Sequence, residues 1–171
     1  MIDNPRTKRI LFWCMFVGFI LLDQMVKLLV RRTLVEGQSL AIPWPGKFEI
    51  ELTFNQGIAF GKFQGKGTWF SPIAVLIAGG AVWHMIKHPE ESRWNHMAYG
   101  LLSAGALGNM IDRLVFQRVT DMFYFKAINF PVFNVADSCI TVATIMLILG
   151  WWFEASHKKV PAGETLPVEA K

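Results

Sequence analysis

Apolar residues along this chain gather into four long runs with polar or mixed loops between them. The runs are Ile10–Val30 (ILFWCMFVGFILLDQMVKLLV), Trp69–Ile86, about Met97–Phe116, and Ser138–Phe153. A helix needs roughly 17–25 apolar residues to cross about 30 Å of hydrocarbon. Three runs meet that length. The fourth is slightly short, but Trp151 and Trp152 close it with indoles, which favour the headgroup level. The pattern predicts an all-α membrane protein with four transmembrane helices, over about 10–30, 69–86, 97–116 and 138–153. Four spans place both termini on one side.

The loops carry different periods. The first connection reads as β-rich over about 36–66. Within it, Phe48, Ile50, Leu52 and Phe54 alternate with Glu49, Glu51 and Thr53, the period of a half-buried strand. PWPG at Pro43–Gly46 reads as a turn, and four glycines in NQGIAFGKFQGKG suit turns and bulges. A small sheet lying on the bilayer surface is expected. Pro89 ends the second run, and Ser92 or Asn95 is placed to cap the third helix. Residues 1–155 read as one domain and 156–171 as a polar, disordered tail.

Composition sharpens this picture. Of 171 residues, 53% are hydrophobic and 18% charged, below the ~25% usual in soluble domains. Four apolar runs in so short a chain leave too little polar sequence to cover them in water. The net charge of +4 suits contact with anionic lipids; no basic stripe with interleaved aromatics points to nucleic acid. Arg6, Lys8 and Arg9 before an apolar run resemble a signal peptide, yet the run continues into DQMVKLLVRR, not a small-residue cleavage site, so it reads as an uncleaved first span. With Lys27 inside the first span left out, Lys and Arg divide eight to eight between the two sides, so the positive-inside rule does not orient the chain. The cations before the first span favour a cytoplasmic N-terminus; Arg31 and Arg32 argue against it. Cys14 and Cys139 make no metal-ligand spacing with the four histidines, and no cofactor is implied.

Polar residues in the apolar runs are costly, at least ~2.5–3.5 kcal/mol per charge, and usually mark function or face the bundle interior. Asp23 and Lys27 share a helix face and can pair, for structure or for function. Asn109, Asp112 and Arg113 also share a face, where Asp112 beside Arg113 reads as a structural or substrate-orienting group. Gly100, Ala104 and Gly108 make a small-residue stripe for close helix packing. Asp137 alone could be a helix cap. Asp121 and Asp137 flank one short aromatic segment, MFYFKAINFPVFNVA, at the same membrane level. If that segment folds back, two facing carboxyls share a proton and supply one base and one acid. Two further classes stay open: a small ion- or proton-coupled transporter with intramembrane carboxylates, and a scaffold whose carboxylates only cap helices.

At these residues the chain resembles the lipoprotein signal peptidases, the bacterial type II signal peptidases. The resemblance rests on DQMVK (Asp23–Lys27), NQGIAF (Asn55–Phe60), GALGNMIDR (Gly105–Arg113), VTDMF (Val119–Phe123) and FNVAD (Phe133–Asp137), in this order along nearly the whole chain. It implies a monomeric aspartyl endopeptidase of the inner membrane, both termini cytoplasmic and the active site near the outer face. Its extracytoplasmic β-rich cradle would lie around Phe48–Phe63, with a short periplasmic helix or loop, the aromatic segment, over the site. It implies Asp121 and Asp137 as the catalytic pair. Asp23, Lys27, Asn55, Gly57, Gly108, Asn109, Arg113 and Asn134 would support the pair or bind substrate. It implies no metal or cofactor. The partners would be membrane lipids and diacylglyceryl-modified prolipoproteins, cut just before the lipidated cysteine. Asn109 and Arg113 are expected to hold the extended peptide together.

Overall fold

The structure, a computed structural model, describes residues 4–57 and 71–157. Four helices form its body: α1 (Pro5–Thr33), α2 (Ser71–Lys87), α3 (Arg93–Phe116) and α4 (Val135–His157). Strands β1 (Ser39–Trp44), β2 (Phe48–Asn55) and β3 (Val119–Tyr124) form one antiparallel sheet in the order β1-β2-β3.

Helices α1, α3 and α4 begin where the sequence supplies a cap. In α1, the Asn4 side chain accepts from Arg6 N at 2.9 Å, Pro5 starts the helix, and Arg31 and Arg32 sit in the last turn. Ser92 caps α3 by accepting from Asn95 N, which decides between the two expected caps. That helix ends at Gln117, in the left-handed conformation. The fourth helix starts three residues before the apolar run that predicted it, so Asp137 lies inside its first turn. At 1.5 Å per residue the 29 residues of α1 span roughly 43 Å, more than the hydrocarbon thickness.

Helix α3 packs against the other three helices. Its small residues permit this. A Cβ on Gly100 would meet Phe12 O of α1 at 2.6 Å, and one on Gly105 would collide with Ala136 O of α4. The buried cluster between α3 and α4 comprises Ala98, Leu101, Val135, Cys139, Ala143 and Met146. Outward faces are apolar and uncovered: Leu21 and Met25 on α1, Leu76 on α2, Ile148 and Trp151 on α4 are all more than half exposed. Helices α1 and α4 are long and apolar enough to cross a membrane; the described part of α2 is apolar but shorter, and its expected start at Trp69 lies outside the described residues.

The sheet docks on the end of α1, where Val30 and Leu34 bury against Leu52 and Met122. Ile50, Leu52 and Phe54 face that core as the alternation predicts. Glu49, on the opposite face, is buried as well, because Ser39, Gly46 N and Lys126 close over it at 2.6, 2.8 and 3.0–3.2 Å. Those contacts hold its carboxyl down at about 2. The hairpin turn follows Trp44, so Pro43 belongs to β1. The β-rich loop beyond Gly57 lies outside the described residues, as does most of the polar tail.

Strand β3, absent from the sequence expectation, pairs along β2 with Thr53 opposite Asp121 and Asn55 opposite Val119. The aromatic segment does fold back: Met122 N and Phe123 N donate to Phe133 O, and Phe133 N donates to Phe123 O. Its helical content is one 3-10 turn, Lys126–Ile128.

Candidate active site

Helix α1 presents Asp23, Lys27 and Arg31 on one stripe at four-residue spacing, facing α3. Lys27 is fully buried. Its Nζ lies 2.9 Å from Asp23 and 3.7 Å from Asp112, and it donates to Asn109 Oδ1 at 3.0 Å and Gly108 O at 3.5 Å. Asp23 turns its other oxygen to α4, accepting from Ala136 N at 2.9 Å. That N–H is one of the donors a helix start leaves without an internal partner. Gly108 sits where these groups converge: a Cβ there would stand 2.7 Å from Asp23 Oδ2 and 3.2 Å from Ala136 Cβ.

Two asparagines carry the network to the expected pair. Asn134 and Asp137 form a reciprocal cap at the start of α4: Asp137 N donates to Asn134 Oδ1 at 3.0 Å and Asn134 N donates to Asp137 Oδ2 at 3.2 Å. Asp137 thus does serve a cap, jointly with Asn134. The Asn134 amide donates to Asp121 Oδ1 at 2.6 Å and to Asn109 Oδ1 at 3.0 Å. Asn109 in turn donates to Asp137 Oδ1 at 2.7 Å. Because Asn109 Oδ1 receives both Lys27 and Asn134, its N–H side must face Asp137. Asn55 also donates to Asp121, while its own Oδ1 accepts from Gly57 N at 2.9 Å.

Asp121 and Asp137 both line a cavity of about 560 Å³ whose walls are mostly apolar, among them Phe130, Phe133, Ile140 and Val142. Burial and the neighbouring charge of Asp137 push the Asp121 carboxyl up to about 7, against the pull of Asn134, Lys27 and Asn55. A carboxyl at that value beside a second carboxylate can exchange a proton with a substrate near neutral pH. Among the described residues, no three His, Cys, Asp or Glu side chains come together as a metal-binding group.

The structure therefore joins Asp23, Lys27, Asn55, Gly57, Gly108, Asn109, Asn134, Asp121 and Asp137 into one region. Arg113 reaches the same region by donating to Gly57 O at 3.3 Å and Asn109 O at 3.5 Å. Asn109 and Arg113 divide their work: the first holds Asp137, the second borders the Gly57 turn. Asp112 does not pair with Arg113. It is fully buried, faces α1, and accepts from Thr120 N at 2.8 Å and from Arg31 at 3.4–3.5 Å. Sequence reasoning passed over Arg31, Thr120 and Gln24, the last donating to Asp23 Oδ2 at 3.0 Å and Gly108 O at 3.1 Å. The signal for Arg31 was its place on the Asp23–Lys27 stripe, hidden because it was counted with the loop cations.

A helical body with uncovered apolar faces around a buried acid-base cluster defines a membrane enzyme, and solved structures agree. Two structures described as bacterial membrane enzymes superpose with TM-scores of 0.79 and 0.72, at 32% and 33% identity. They cover 88% and 80% of this chain, and 92% and 89% of theirs. Proteins named lipoprotein signal peptidase are similar along most of the sequence. The one from Gloeobacter violaceus is 38% identical over 151 residues, 88% of this chain and 87% of its own. The one from Streptococcus pneumoniae is 39% identical over 130 residues, 75% and 83%. The family model for signal peptidase (SPase) II matches residues 15–153, and the chain belongs to that family. It is a peptidase; the transporter alternative finds no support.

Proposed function

We propose that this chain is an aspartyl endopeptidase that frees signal peptides from diacylglyceryl-modified prolipoproteins, cutting just before the lipidated cysteine. In this reading one domain, 1–155, crosses the inner membrane four times with both termini cytoplasmic. The site then faces the outer leaflet, and the sheet lies over it as a cradle. The observation that carries the proposal is the bridge made by Asn134, which donates to Asp121 and exchanges capping bonds with Asp137 at the edge of one apolar cavity. A cavity open to acyl chains and bordered by two carboxyls suits a peptide whose cysteine is anchored in lipid.

Asp137 accepts N–H bonds at both oxygens and sits in the first turn of α4, at the edge of the cavity. Asp121 is the member pushed towards holding a proton. Asp137 therefore takes a proton from water as the water oxygen attacks the scissile carbonyl carbon. Asp121 gives its proton to the carbonyl oxygen, forming a tetrahedral diol. The diol returns a proton to Asp121, the C–N bond breaks, and the amine leaves with the proton held by Asp137. Arg113 Nε is buried without a protein partner among the described residues and points to a donor for the substrate backbone.

The test is cleavage of a diacylglyceryl-modified lipobox peptide in detergent by the native chain, Asp121→Asn and Asp137→Asn, with chelator present. Cleavage by the native chain and none by either folded variant is expected. A variant cutting at near-native rate removes that aspartate from the pair.

A further inference from the structure

Strand β3 carries Asp121 on one face and, one residue earlier, Thr120 on the other, since successive strand side chains alternate. Thr120 is fully buried and held twice. Its N–H donates to Asp112 Oδ2 at 2.8 Å, and its Oγ1 accepts from Arg31 at 2.7 Å. Arg31 is fixed in turn. Its guanidinium pairs with Asp112 at 3.4 Å and lies over the Phe116 ring at 4.4 Å, with its side chain only 16% exposed. Helix α1, the end of α3 and β3 thus meet at Thr120.

We propose that Arg31 is a positioning residue for the peptidase reaction, acting through Thr120 and Asp112 to set the direction of the Asp121 carboxyl. The inference rests on the reading of Asp121 as half of the catalytic pair. The N–H bond fixes the peptide plane before Thr120 and the Oγ1 bond fixes its side chain; with the pairing of β3 to β2, these set where the next side chain points. Arg31 also shares Asp112 with Lys27, so it leaves Lys27 to Asp23 and Asn109. Removing the guanidinium frees Thr120 Oγ1 and draws Lys27 towards Asp112, away from the amide that orients Asp137. Lysine restores the charge but not the planar guanidinium that lies over the Phe116 ring while its Nη1 reaches both Thr120 and Asp112.

The experiment measures kcat and KM of the full chain in detergent on the lipobox peptide, for Arg31→Gln, Arg31→Lys, Thr120→Val and the double variant Arg31→Gln/Thr120→Val. Misplacing a reacting group by a fraction of an ångström lowers kcat on the order of ten-fold while leaving binding within about two-fold. That split is expected for Arg31→Gln and Thr120→Val, with Arg31→Lys intermediate and the double variant no slower than the worse single one. Native kcat in Arg31→Gln and Thr120→Val, a change confined to KM, or fully additive losses would overturn the inference. Should Arg31→Gln not fold, the near-isosteric Thr120→Val, which leaves the Arg31–Asp112 pair in place, decides alone. Asp121→Asn run alongside separates the two failures. If it cuts at native rate, the catalytic pair and this inference fall together; if it is dead while Arg31→Gln and Thr120→Val are native, only this inference falls.

Discussion

Asn134 and Asp137 cap one another, each backbone N–H donating to the other's side chain at 3.0–3.2 Å, while the Asn134 amide also reaches Asp121 at 2.6 Å. One side chain therefore starts α4 and ties the two aspartates together. These roles separate by substitution. Threonine can still cap a helix but has no amide to donate. Asn134→Thr is expected to keep its melting temperature close to native while kcat falls at least about a hundred-fold, the scale of a lost preorganising donor. Asn134→Ala should lose both, with a cap cost of about 1 kcal/mol. A Thr variant that cuts normally would show that the Asp121 contact is incidental.

The raised Asp121 carboxyl makes a pH prediction of definite sign. Free aspartate titrates at 3.8; this one is pushed to about 7 by burial and Asp137. Below 3.8 both folded and unfolded chains hold the proton, and burial costs nothing. From 3.8 to about 7 the unfolded chain ionises freely while the folded one resists, so the native chain loses stability through this window and stays penalised above it. Asp121→Asn should thus gain stability relative to native between pH 4 and 7, then level off, on the order of a few kcal/mol. Thermal melts across this range read the difference; a pH-independent gap would place the Asp121 titration elsewhere. Activity should fall towards ten-fold per unit above about pH 7 as the acid is lost.

Gly108 offers a steric test with an internal control. A methyl there stands 2.7 Å from Asp23 Oδ2, whereas one on Gly79 or Gly80 meets nothing within 4 Å. Gly108→Ala should destabilise by about 1–3 kcal/mol and displace the carboxylate that holds Lys27 and Ala136 N, lowering cleavage sharply. Gly79→Ala should be neutral or stabilising, by up to about 1 kcal/mol, as a helix interior prefers alanine. Equal effects in the two variants would contradict the packing described.

Lys27 is the cation between Asp23 and Asp112. Lys27→Met leaves two buried carboxylates short of a partner and is expected to cost about 3–5 kcal/mol. Adding Asp23→Asn should restore part of that stability but not cleavage. A double variant less stable than Lys27→Met alone would argue that Asp23 is held by α4 and not by Lys27.

Glu49 links β1, β2 and the 3-10 turn through Ser39, Gly46 N and Lys126, and its carboxyl is held at about 2, against an ordinary 4.5. A depressed carboxyl stabilises the fold above 4.5 and loses that contribution as pH falls towards 2. Glu49→Gln should speed amide exchange at Gly46 and Ala127 at pH 7, a difference that shrinks in acid. Unchanged exchange at neutral pH would assign the hairpin's order to its backbone pairing alone.

The helices were legible in the sequence because their apolar lengths and caps are local properties. That Asp121 and Asp137 come to one cavity was legible because both flank a short segment that folds back between two apolar runs. Strand β3 was not, since VTDMFY is short and its alternation shows only once β2 lies beside it. The start of α4 was missed because Asn134 and Asp137 extend the helix by capping, ahead of its apolar run. Asp112 was paired with its neighbour Arg113 on sequence proximity, but adjacent helical residues point about 100° apart. Its partners, Arg31 and Thr120, come from other elements. Glu49 was placed on the correct face, yet the cover over that face arrives from the hairpin turn and Lys126, which no period reveals.

Asp23 and Lys27 belong to the same helix and neutralise each other at 2.9 Å. Helix α1, which precedes α3 and α4 in the chain, therefore carries its own counter-ion. The pair can enter the bilayer with its charges balanced, before α3 brings Asp112 and Asn109 or α4 brings the Ala136 N–H. Later helices then assemble on a charge pair already in place, and each arrival gives those two residues another partner. On this reading the buried polar cluster grows around one pair in the order of the chain.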